Sequence, residues 1–146
     1  IACSTMMEKK VKINRHQIRE YVFQTLFAMQ SNDELNLDYF FKYLTDNDEA
    51  VAPDYYKELV NGVEDNKEKI DKIIESYLDS KWTLNRLNKS DLIILEIAIY
   101  EMKFVENVPA KVAINEALEL SKNFSDDKSI NFINAILDKI MNDTEK

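Results

Sequence analysis

From Asn14 onward, apolar residues recur at steps of three and four, the period of helices with one buried face. Ile18, Val22, Phe23, Leu26 and Phe27 make the first such face, behind Asn14 as a candidate cap. Arg15 and Arg19, four apart, share another face at its start, where basic side chains oppose the helix dipole. Ser31-Asn32-Asp33 ends this helix, and Leu37, Phe40, Phe41 and Leu44 predict a short second one. The polar stretch 45–52 reads as a loop, and Pro53 opens the next helix, where its missing N–H costs little. Tyr55, Tyr56, Leu59, Val60 and Val63 stay in phase with Ile70, Ile73, Ile74, Tyr77 and Leu78, predicting one long helix from about 54 to 79. Gly62 inside it costs roughly 1 kcal/mol relative to Ala and implies close helix packing.

A second half begins near Ser80, where Trp82, Leu84 and Leu87 pack a connection and Ser90 is the expected cap of the following helix. Residues 92–102 are apolar nearly all round, the mark of a helix surrounded by others. Val108-Pro109 starts another, with Ala113, Ala117 and Leu120 on one stripe. Phe124-Ser125-Asp126 breaks and caps again, and Ile130, Ile133, Ile136, Leu137, Ile140 and Met141 form the last amphipathic face. The expected fold is all-α, with about seven helices in two packed bundles. A leader and basic arm over 1–13 precede an N-terminal lobe over 14–79 and a C-terminal lobe over 80–146.

Composition agrees with this pattern. In 146 residues there are one Gly and two Pro, too few for the turns of a compact β-protein, and 45% of residues are hydrophobic, too many for a disordered chain. Net charge is −8, which argues against indiscriminate nucleic-acid binding. The distribution changes that picture. Lys9, Lys10, Lys12, Arg15 and Arg19 stand against the single acid Glu8, so a basic arm leads into an acidic body. The longest dense apolar stretch, 92–100, is interrupted by Glu96 and is far shorter than the roughly 18 residues of a membrane span. With no secretory signal visible, the protein is expected in the cytoplasm. Ile1 to Thr5 reads as a leader ahead of a natural start at Met6 or Met7.

Catalytic signatures are nearly absent. His16 and Cys3 are the only residues of their kinds, too few for a nucleophilic triad or a zinc site. Asp46-Asn47-Asp48 is similar to the start of a calcium loop. Val51, however, stands where the sharp turn demands glycine, and no glutamate occupies the twelfth position. No cofactor, metal or enzymatic activity is expected. Recognition remains: Arg15 and Arg19 suit bidentate pairing with phosphates, although a solvated charge cluster explains the same residues. Phe124 and Phe132 are candidate stacking platforms for single-stranded RNA, or simply core.

The order of residues resembles the NusB family of transcription antitermination factors. The resemblance is carried by Arg19-Glu20, Gln24-Thr25-Leu26-Phe27, Gly62-Val63, Trp82, Asp91 and Ala98-Ile99-Tyr100-Glu101. It is strongest in Val108-Pro109, Val112-Ala113-Ile114-Asn115-Glu116-Ala117 and Phe132-Ile133-Asn134 to Leu137-Asp138. It implies a non-enzymatic factor that binds boxA RNA of ribosomal-RNA transcripts together with the small-subunit ribosomal protein NusE. The pair would help RNA polymerase pass terminators. By position, the family's arginine-rich RNA motif falls on Arg15, His16, Gln17 and Arg19, with Lys12 beside it. A second RNA-contacting stretch falls around Lys128 to Phe132, and the NusE-facing positions fall on Phe27 and Asp91. His16 and Gln17 replace arginines, Asn131 a lysine and Ala135 a glycine, while Leu92 and Glu96 stand where many relatives are basic. Lys9, Lys10, Lys12 and Lys128 restore part of the charge, and the resemblance therefore implies greater reliance on NusE. The alternative reading is an acidic helical protein-binding adaptor without sequence-specific RNA binding, with a homodimer as one form it could take.

Overall fold

The computed structural model describes residues 13–32, 34–79 and 83–144. Lys9, Lys10, Lys12, Cys3, Asp33 and Trp82 lie outside them, as does the leader. Among the described residues there are seven α-helices and no strand: α1 (Arg15–Met29), α2 (Leu37–Thr45), α3 (Asp54–Asp65), α4 (Lys67–Tyr77), α5 (Lys89–Phe104), α6 (Ala110–Phe124) and α7 (Asp127–Thr144). A single 3-10 turn, Leu84–Arg86, precedes α5. The all-α expectation holds.

The helices form two compact units, one running to Val60 and the other starting at Asn61. The division falls within α3, upstream of the 79–80 boundary expected from the sequence, because α4 packs on α5 and buries Ile70 and Ile74. In the first unit α1 packs on α2. Phe41 sits between Tyr21 and Tyr56, with ring centroids 5.3 and 5.1 Å away. The Tyr56 hydroxyl is 2.6 Å from Thr25 Oγ1 in the interior. Burial raises the Tyr56 pKa, and the Thr25 bond only partly offsets this, so the phenol stays neutral. In the second unit α5 is the hub: every residue from Ile93 to Glu101 is buried, against α4, α6 and α7.

Two expectations about helix ends need correcting. The long helix over 54–79 is two helices, interrupted at Asn66, whose φ of −110° and ψ of 15° leave helical geometry. Its side-chain Nδ2 donates to the Gly62 carbonyl at 2.8 Å, competing with the backbone ladder. The cap of α5 is Asn88 rather than Ser90, since Asn88 Oδ1 accepts the Ser90 N–H at 2.8 Å. Gly62 has the role expected of it: a Cβ built there would collide with Tyr100 Cζ and with the Tyr100 hydroxyl oxygen.

Candidate nucleic-acid interface

The first cluster belongs to the start of α1. Asn14 and Gln17 form a reciprocal capping box, in which Gln17 N–H donates to Asn14 Oδ1 at 2.8 Å and Asn14 N–H to Gln17 Oε1 at 3.2 Å. Gln17 is therefore engaged in its own helix terminus. No acid occupies the first turn, so the positive end of the helix dipole adds to the charge of Arg15. Arg15 is exposed, and its guanidinium carbon lies 3.7 Å from the centroid of the Tyr55 ring. Stacking fixes the plane of the guanidinium and leaves its N–H edges available to an anion. His16 Nε2 is 3.9 Å from Glu20 Oε2, one turn along. Arg19 differs from its expected face-mate: it is only 3% exposed. Phe27, at the far end of α1, is 44% exposed, its ring 6.0 Å from Phe23.

The second cluster lies where α5, α6 and α7 meet. Asp91, in the first turn of α5, is buried, and both its oxygens are taken. Ser125 Oγ donates to Oδ1 at 2.6 Å and Ser129 Oγ to Oδ2 at 2.7 Å. One carboxylate thus ties the end of α6 and the start of α7 to α5. Asp126 caps α7, accepting the Ser129 N–H at 2.9 Å. That backbone bond, the Ser129 side chain and nearby Lys128 hold the Asp126 carboxyl below its usual pKa. Beside this brace opens a cavity of about 380 Å³ lined by Arg86, Asn88, Asp91, Asp126, Lys128 and Phe132, among others.

Lys128, Phe132 and Asp91, singled out separately in the sequence, therefore line one cavity, with a cation and an aromatic face side by side. Phe132 is half-buried and Lys128 exposed. Arg86 is the residue that sequence reasoning missed. It sits in a 3-10 turn about forty positions from Lys128, and nothing local marks it. Among the described residues no cluster of His, Cys, Asp and Glu is arranged to hold a metal. No described helix is long and apolar enough to cross a membrane.

The NusB family model matches residues 16–142. The chain belongs to the NusB family. A transcription antitermination protein NusB of Limosilactobacillus reuteri is 49% identical over 129 residues, which cover 88% of this chain and 94% of that relative. Among solved structures, T. maritima NusB superposes with a TM-score of 0.77 at 32% identity, covering 90% of this chain and 93% of that one. A complex of antitermination factors NusB and NusE with double-stranded RNA matches with a TM-score of 0.72, covering 88% of this chain and 96% of that one. At 24% identity that complex speaks to the NusB fold alone. NusB relatives are named for a role in transcription rather than for a reaction.

Proposed function

We propose that this chain is a cytoplasmic transcription antitermination factor. It binds single-stranded boxA-type RNA of ribosomal-RNA transcripts together with NusE, and the pair acts on RNA polymerase. The observation that carries the reading is the cavity beside Asp91, where the exposed Lys128 and the half-buried Phe132 set a cation and an aromatic ring in one lining with Arg86, while the Asp91 and Asp126 carboxylates beside them are held by hydrogen bonds from Ser125 and Ser129. Supporting it is the similarity in fold to a NusB that crystallised with NusE and RNA. Arg15, fixed over Tyr55, and His16 form the second RNA contact, to which the sequence adds Lys12, outside the described residues. Arg19 contributes from beneath by shaping α1, because its burial keeps it from projecting. Phe27 is the NusE-facing apolar contact, and Asp91 serves the same partner by fixing the corner where α6 gives way to α7.

The test is a titration of boxA-like single-stranded RNA against a scrambled control, with and without NusE. Specific binding that tightens with NusE, and that weakens in Arg15→Gln and Lys128→Gln, is the expected result. NusE binding without RNA preference would favour the acidic adaptor, in keeping with a buried Arg19 and a net charge of −8. In that case sedimentation would test for the homodimer.

A further inference from the structure

Away from both clusters, α2 carries an aromatic surface that the RNA reading leaves unused. This nine-residue helix fully buries only Phe41. Tyr39 and Tyr43, one turn apart, are 74% and 70% exposed. The Tyr43 ring is stacked on Phe40 at 5.5 Å, so its orientation is set by a neighbour that is itself half-buried. With Lys42, Leu44, Asp46 and Asp48 the two tyrosines line a cavity of about 540 Å³.

We propose that this groove binds an extended, arginine-bearing segment of a partner protein. Three features of the site favour a cation. The helix ends at the groove, so the negative end of its dipole lies beside Asp46, which lines the groove and closes the helix in the left-handed conformation, φ 51°. Asp46 and Asp48 are both exposed there, against the single Lys42. The tyrosine faces suit a planar guanidinium, the arrangement that Arg15 adopts over Tyr55 within this same unit. A guanidinium can lie flat on a ring and turn its edge to a carboxylate, whereas an ammonium offers no plane to stack. RNA bases also stack on tyrosine, but the phosphates would have to pass two carboxylates and a helix C-terminus, so a peptide fits better.

The test uses the full chain and a labelled nonapeptide of alternating serine and arginine, alongside its lysine and glutamate counterparts and hexauridine. Binding is followed by fluorescence anisotropy and mapped by amide chemical-shift changes. The expected result is a preference for the arginine peptide over the lysine one, with shifts centred on 39–48. Tyr39→Ala/Tyr43→Ala, which leaves the net charge untouched, should weaken binding by about tenfold. Asp46→Asn/Asp48→Asn, in which asparagine still tolerates the left-handed turn, should remove most of the salt dependence. Both variants alter exposed side chains, and circular dichroism verifies that helix content is retained. Equal affinity for arginine and lysine peptides, unchanged binding in the tyrosine variant, or shifts spread over the acidic body would each overturn the proposal. Hexauridine shifting 39–48 in preference to the arginine peptide would overturn it as well. BoxA RNA binding should be the same in these variants, so the two readings fail independently.

Discussion

Asp91 shows how a single side chain can carry a corner of the molecule. It accepts two short hydroxyl hydrogen bonds from residues more than thirty positions away. Hydrogen bonds to a charged group are worth roughly 1.5–3 kcal/mol each, and a buried serine left without a partner costs about 1–3 kcal/mol. Asp91→Ala should therefore lose about 3 kcal/mol in urea unfolding, and Asp91→Asn less, since its carbonyl keeps one acceptor. A loss confined to NusE binding, with stability unchanged, would show instead that Asp91 is a contact residue. Glu96 makes a complementary case. It is buried beside Asp71 and Lys67, with Lys67 Nζ donating at 2.7 Å to Glu96 Oε2 and lying 3.4 Å from Asp71 Oδ2. Burial and the Asp71 carboxyl push the Glu96 pKa up to about 8, against the opposing pull of Lys67. The buried Asp71 Oδ1 has no hydrogen-bond partner, and the Asp71 carboxyl is the neighbour that favours a proton on Glu96.

The sign of the resulting pH dependence follows from linkage. Between the ordinary glutamate value of 4.5 and about 8 the folded chain keeps this proton while the unfolded chain has lost it, so stability falls as pH rises through that window. Lys67 has its pKa raised, as the Glu96 bond and both carboxylates outweigh its partial burial, and its contribution is lost only above its ordinary 10.5. The Asp126 contribution disappears only below its ordinary 3.8. Neither interferes between pH 5 and 8. Glu96→Gln keeps a donor for Asp71 and an acceptor for Lys67 at every pH. Urea unfolding at intervals across this range should thus find the variant gaining on the parent as pH rises; parallel profiles would rule the shared proton out.

At the scale of elements, α3 turns on the contact between Gly62 and Tyr100. Alanine is the better helix former by about 1 kcal/mol, yet its Cβ would collide with the Tyr100 ring, and overpacking of this kind costs typically 1–3 kcal/mol. Gly62→Ala should lower the thermal midpoint, and Tyr100→Leu should recover part of the loss when the two are combined. Simple additivity in that double-mutant cycle would refute the contact. The need for glycine was legible because a lone Gly in a strongly periodic helix has few other uses. The hub character of α5 was legible too, since a helix apolar on every side has nowhere to go but inside. The interruption at Asn66 was not, because Ile70 and Ile74 stay in phase with Leu59 and Val63 across a break of one residue. Asn88 and Ser90 are both competent caps, and only backbone geometry chose between them. Periodicity assigned Arg19 to the surface along with Arg15, but a guanidinium can be buried among partners, and local pattern does not register those. The same limit hid the Asp91 brace and Arg86, whose neighbours are distant in the chain.

At the scale of the whole molecule, charge decides how the protein meets RNA. A net −8 repels a polyanion at long range, so association must rest on local cations: Arg15 over Tyr55, and Arg86 with Lys128 beside Phe132. If these and the Lys12 arm neutralise about three to five phosphates, counterion release from a single strand predicts log K falling by roughly 2–3.5 per decade of salt. Removing one contact should flatten that line by about 0.7 without changing which sequence is preferred, because phosphate contacts carry no base information. Arg15→Gln is the substitution to use, since Arg15 is exposed and its loss leaves the capping box of α1 intact. Phe132→Leu should behave differently, weakening binding by about 1–3 kcal/mol with the slope unchanged, as expected for a stacking face. Repeating the salt series with NusE present separates the contributions of the two proteins. A steeper slope in the complex would place additional phosphates on NusE, and an unchanged slope with tighter binding would mean that NusE orders contacts this chain already makes.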